Sequence, residues 1–138
     1  MDTFAVLCVT TVGDEQAQVL TEAFAIASKR DSSLLLTVSD ETAATELFKL
    51  ADLLVCAGSD PAAASAIGRA QELGLPVLAV GGGCAEQLIE NGRSGFIIVE
   101  GALPLADAIR WLAQRAPVRE RLRTGGLLAA GARLAQLA

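Results

Sequence analysis

Histidine is absent from the 138 residues of this chain. That excludes His-dependent catalytic triads, imidazole metal ligands and the commonest general base. Aromatic residues are scarce, at 4%, whereas apolar residues reach 52% and charged residues 20%. The apolar mass is Ala, Leu, Val and Ile, a composition suited to helices on a parallel sheet rather than an aromatic-rich β-sandwich. Basic residues form no patch, net charge is −5, and stacking aromatics are few, so nucleic acid is not expected as a partner. No apolar run is long enough to span a membrane, and the start, MDTFAVLCVT, lacks the basic lead of a signal peptide. The expected location is therefore cytoplasmic. Cys8, Cys56 and Cys84 are odd in number and unspaced for metal. Neither a metal site nor a metal-dependent reaction is expected.

What is present is a regular alternation of apolar runs and helical periodicity. Phe4 to Thr10 reads as a buried strand, followed by a turn and a helix over Glu15 to Lys29. Leu34 to Val38 is a second strand, and Asp40 or Thr42 can cap a helix that ends at Leu50. Ala51 to Gly58 is hydrophobic almost throughout, as a strand covered on both faces requires. A helix from about Pro61 to Leu73 ends at Gly74, and Pro76 introduces a strand over Val77 to Val80. Gly81, Gly82 and Gly83 lead into a helix through Glu90, which Asn91-Gly92 terminates before a fifth strand, Gly95 to Val99. Leu103 to Ala113 and Val118 to Leu137 read as helices, the second broken at Gly125-Gly126. This order predicts one Rossmann-like α/β/α domain over residues 1–138. Its parallel sheet has about five strands, and two extra helices follow at the C-terminus.

In such sheets ligands bind beyond the C-terminal strand ends, near a switch point. Residues 10–15, 58–65 and 81–86 fall there. The last group is the strongest candidate for an anion or a sugar. Gly81, Gly82 and Gly83 let a ligand approach the backbone, and the next helix offers unpaired N–H groups. Cys84 and Glu86 belong to the same group, and Ser59 and Asp60 form a minor one. Each has a plain structural reading beside the functional one: tight packing for the glycines, and helix-end capping for Ser59, Asp60 and Glu86. A reactive Cys84 would need a base or a resolving partner, which favours an inert thiol. The segment Pro117 to Arg123 alternates charge signs, the pattern of a solvent-facing helix with ion pairs.

Several segments together resemble the C-terminal, nucleotide-sugar-binding domain of retaining GT-B glycosyltransferases of the group 1, family 4 type. ADLLVCAGS is similar to the family's aDvfvlPS strand, and AQELGLPVLA to its AxAxGxPVVA. GGCAEQLIENGRSGFIIV is similar to GGxxExVxxGxTGxLV, with one additional residue between Glu86 and Gly92. Glu22 to Ala25 supply the EAFA of an earlier helix, and LADAIRWLAQRAPVRERLRTGG resembles the family's last helices. The resemblance implies a nucleotide-sugar donor, no metal or cofactor, and catalysis in a cleft completed by an acceptor-binding domain.

Four positions depart from the family pattern. Counting from Gly74-Leu75-Pro76, the glutamates of the Glu-x7-Glu motif fall on Pro61 and Arg69. Counting from EAFA, the diphosphate-binding Arg and Lys fall on Thr10 and Glu15. An anion in place of a cation beside a diphosphate costs on the order of several kcal/mol. The segment between Val38 and Ala51 is also shorter than the family's. No catalytic residue is therefore assigned. Two readings follow. One is a glycosyltransferase-like domain that transfers sugar only when a partner domain completes it. The other is a non-catalytic homologue that binds a protein or holds nucleotide or sugar weakly. Association through the C-terminal helices is expected from Trp111, Leu122, Leu127, Leu128 and Leu134, which would be exposed if those helices were left free.

Overall fold

The computed structural model describes residues 3–9, 15–30, 33–39, 45–57, 62–81 and 83–137. Among the described residues five strands form one sheet: β1 (Phe4–Val9), β2 (Leu34–Ser39), β3 (Leu53–Ala57), β4 (Val77–Val80) and β5 (Phe96–Ile98). Their spatial order is β2-β1-β3-β4-β5, and every neighbouring pair is parallel. Six helices among the described residues alternate with and follow them: α1 (Glu15–Arg30), α2 (Thr45–Leu50), α3 (Ala63–Glu72), α4 (Ala85–Leu88), α5 (Ala102–Ala113) and α6 (Ala116–Leu137). The expected Rossmann-like α/β architecture with two additional C-terminal helices is what the chain adopts.

The sheet is buried on both faces because its central strands are apolar at every position. Leu54 and Cys56 of β3 join Leu7, Phe48, Ile67 and Ala79 in a core on the α2, α3 and α4 side. Leu53 and Val55 point the other way, into a core with Ala23, Ala27, Leu105, Ile109 and Leu122. Small residues at Ala23, Ala27 and Ala106 are fully buried where α1 and α5 meet. Cys8 and Cys56 lie in these cores, Cys84 is half-buried, and none of the three is in a disulfide.

Four expectations need correction. The helix after the glycine turn stops at Leu88 instead of Glu90. Ile89 is already extended, with φ −114° and ψ 124°, and buries its side chain, while the Glu90 N–H donates to Ser94 Oγ at 3.0 Å. The expected break at Gly125-Gly126 does not occur, and α6 runs unbroken for 22 residues. These glycines serve close approach. A Cβ on Gly125 would collide with the Arg93 carbonyl group, and one on Gly126 would lie 3.5 Å from Gln71 Cγ. The helix thus lies directly on the 93–94 turn and on α3.

Third, the C-terminal helices are not free. Leu122 is fully buried, whereas Trp111, Leu127, Leu128 and Leu134 remain 38–60% exposed. Nor is Pro117 to Arg123 wholly a solvent face. Glu120 and Arg123 form an exposed pair at 3.2 Å. Arg119 instead turns inward and donates to the carbonyls of Leu112 and Ala113, at 2.6 and 2.9 Å. A cation on the last carbonyls of α5 opposes the negative end of that helix.

Candidate functional site

The strand order fixes where a ligand site belongs. The chain steps from β1 outward to β2, then returns to place β3 on the other side of β1. That reversal is the switch point, and the crevice lies beyond the C-terminal ends of β1 and β3. The connections leaving those ends, residues 10–14 and 58–61, lie outside the described residues. Among the candidates Ser59, Asp60 and Gly82 are therefore outside the described residues, as are Thr10 and Pro61.

The neighbouring turn after β4 is better defined. Gly81 has φ +75°, in the left-handed region where a Cβ is strained, and its N–H donates to the Ile98 carbonyl at 2.8 Å. Gly83 follows with φ +90°. Cys84 takes the N-cap position of α4 without a side-chain cap bond, and Glu86 is exposed in the first turn. Because α4 is only four residues long, the dipole it presents is that of a single turn. The structure thus brings Gly81, Gly83, Cys84 and Glu86 together at one end of β4.

One residue at this turn is not marked by the sequence pattern. Glu100 follows the end of β5, and a Cβ on Gly81 would sit 3.1 Å from its Oε1. An exposed carboxylate therefore lies over the first glycine of the turn. Its position in the sequence was the available signal, since a charged residue just past a strand end in an α/β sheet falls on the ligand edge.

Arg69, at the second motif position, is engaged within the fold. Its guanidinium lies 4.3 Å from the Phe48 ring centroid and donates from Nη2 to Thr45 Oγ1 at 3.4 Å. It ties α3 to α2. At the first motif position, the chain just before α3 passes through Ala62, whose methyl cannot cap the helix.

Two of the grooves lined by described residues bear on where a ligand could sit. One, of about 600 Å³, begins at Glu86 and runs between α4 and α6 past Glu90, Arg93, Leu128 and Arg133. The other, of about 540 Å³, is lined by Asp52, Pro76, Arg119 and Arg123. It opens at the N-terminal ends of β3 and β4, the edge away from the switch point. The first groove shares Glu86 with the candidate site; the second shares none of its residues. Among the described residues no group of three metal-ligating side chains occurs, and no helix is long and apolar enough to cross a membrane.

Comparison with solved structures places this geometry. The crystal structure of the C-terminal domain of a group 1 family glycosyl transferase, LpcC from Francisella tularensis, matches 97% of the chain. It does so over 88% of its own length, with a TM-score of 0.75 and 14% identity. The fold is that of a glycosyltransferase C-terminal domain. Two further solved structures carry a similar fold within longer chains. The pneumococcal O-GlcNAc transferase GtfA, solved with UDP and GlcNAc, aligns at TM-score 0.78 and 16% identity. That alignment covers 94% of this chain and 32% of GtfA. Anabaena HepE, solved with UDP and glucose, aligns at 0.75 and 17%, covering 96% of this chain and 44% of HepE. The chain thus spans less than half the length of GtfA and HepE. At 14–17% identity the likeness is one of fold. No protein-family model and no curated protein sequence matches the chain.

Proposed function

We propose that this chain is a glycosyltransferase-like domain with a weakened grip on its nucleotide-sugar donor, one that transfers sugar only when a second, acceptor-binding domain completes the cleft. The observation that carries the weakened grip is Arg69. Where the family places the glutamate that binds the donor ribose, this chain has a cation stacked on Phe48 and bonded to Thr45. Such a side chain neither accepts a hydrogen bond from a ribose hydroxyl nor is idle enough to be recruited.

Glu100 supports the same reading. A carboxylate over Gly81 opposes a phosphate there, at a cost on the order of a few kcal/mol for a close like-charge pair near a surface. It is well suited to accept hydrogen bonds from a sugar hydroxyl. Gly81, Gly83, Cys84 and Glu86 are therefore read as a site for the sugar end of a donor rather than for its diphosphate; the other candidates, Gly82, Ser59 and Asp60, lie outside the described residues. No residue here is assigned a catalytic role, and the reaction class requires no metal.

A second reading rests on α6. Leu127, Leu128 and Leu134 are 40–60% exposed on one helix. A partner covering that surface would make the chain a non-catalytic interaction module. The two readings separate in one assay. UDP- and GDP-linked sugars are incubated with the isolated chain, then with the chain plus an acceptor-type glycosyltransferase half-domain, and release of nucleoside diphosphate is followed. Turnover only in the mixture is expected. Turnover by the chain alone would overturn the proposal, and none in either would favour the interaction module.

A further inference from the structure

The two edges of the sheet are finished differently. At the β5 edge, the turn formed by residues 91–95 folds back along the strand. The Ile97 N–H donates to Asn91 Oδ1 at 2.9 Å, and the Gly92 N–H donates to the Gly95 carbonyl at 2.7 Å. Asn91 and Gly95 also form an isolated parallel bridge. This turn occupies the edge as the start of another strand would.

At the opposite edge, β2 has no such cover. All six of its residues pair with β1 on the inner side, from Phe4↔Leu34 to Val9↔Ser39. Among the described residues nothing pairs with the outer side. Alternate residues of a strand direct their N–H and C=O groups away from a given neighbour, so the outer side carries a row of backbone donors and acceptors. Native edges are usually blunted by a lysine, a proline or a bulge. β2 reads Leu-Leu-Leu-Thr-Val-Ser and contains none of these. Leu35 is 53% exposed and Val38 50%, so apolar side chains accompany the open backbone.

We propose that β2 is a self-association edge, at which two copies of this chain pair antiparallel about a two-fold axis and join their sheets into one. A second copy is the occupant because the edge is complementary to itself: an isologous contact satisfies both open edges at once. Charge permits it. The chain as a whole carries −5, but β2 carries none, so pairing brings no like charges together along the strand. In the sequence Lys29-Arg30-Asp31 precedes the strand and Asp40-Glu41 follows it. Antiparallel pairing therefore directs the net-basic start of each copy towards the acidic end of the other. Two six-residue edges make a small interface, so the association is reversible and concentration-dependent. It does not depend on the glycosyltransferase reading.

Sedimentation velocity over a concentration series tests the proposal. The chain is expected to shift reversibly from 14.2 kDa towards twice that mass. Leu35→Lys and Val38→Lys, each at an exposed position, should abolish the shift with the circular dichroism spectrum unchanged. Should either variant fail to fold, hydrogen exchange on the unmodified chain decides, with Leu34–Ser39 amides gaining protection as concentration rises. A strictly monomeric chain overturns the proposal. So does a dimer that persists in both lysine variants, or whose added protection falls on α6 instead of β2.

Discussion

Two glycine groups in this chain serve opposite ends. Gly81 and Gly83 sit in an open turn at the C-terminal end of β4, with left-handed backbone and the Glu100 carboxylate overhead. Gly125 and Gly126 sit in the middle of a helix, buried against the 93–94 turn and against Gln71. The first group is defined by the backbone conformation it permits and the space it leaves for a ligand. The second is defined by the absence of that space. A helical glycine costs roughly 1 kcal/mol relative to alanine, and α6 accepts that cost twice in succession to come within reach of α3. The fold is thus tight where α6 crosses back and open at the turn after β4.

Substitution at each glycine should expose this difference, and chemical denaturation measures it. Gly125→Ala carries the largest expected effect, a loss of about 3 kcal/mol, because its Cβ would collide with backbone that cannot move aside. Gly81→Ala is expected to lose roughly 1–2 kcal/mol from the left-handed backbone alone, with the flexible Glu100 side chain free to swing away. Gly131→Ala should do the reverse. It has nothing within 4 Å of its Cβ position, so about 0.5–1 kcal/mol of stability is gained from helix propensity. Equal losses at Gly125 and Gly131 would mean that packing on the 93–94 turn does not distinguish them.

These glycines also mark the limits of the sequence. The strands were legible because β3 and β4 are apolar at every position, a pattern that only burial on both faces explains. The end of α3 at Leu73-Gly74 followed from local chemistry, and the Leu75 N–H returns to the Ala70 carbonyl at 2.8 Å. Gly125-Gly126 reads as a break because adjacent glycines weaken a helix locally, and the compensating contact comes from Arg93 and Gln71, distant in sequence. The same holds for Arg119, whose partners on α5 make a cap out of what reads as a solvent-facing charge. Glu100 is hidden in the sequence for a related reason. Its neighbour Gly81 becomes adjacent only when β4 and β5 pair, which the Gly81 N–H bond to Ile98 completes.

At the candidate site the legible part was the turn from Gly81 to Glu86 and its place at a strand end. Sequence alone could not supply the engagement of Arg69 with Phe48 and Thr45, because α2 and α3 meet only in the fold. Under the proposed function that engagement, with Glu100 over the turn, is what separates a domain of glycosyltransferase shape from one that holds a donor firmly. Calorimetric titration of the isolated chain with UDP, GDP and their sugars tests this separation most directly. Binding weaker than about 100 µM, equivalent to less than roughly 5.5 kcal/mol, is the expected result, and saturable binding at micromolar concentration would contradict it.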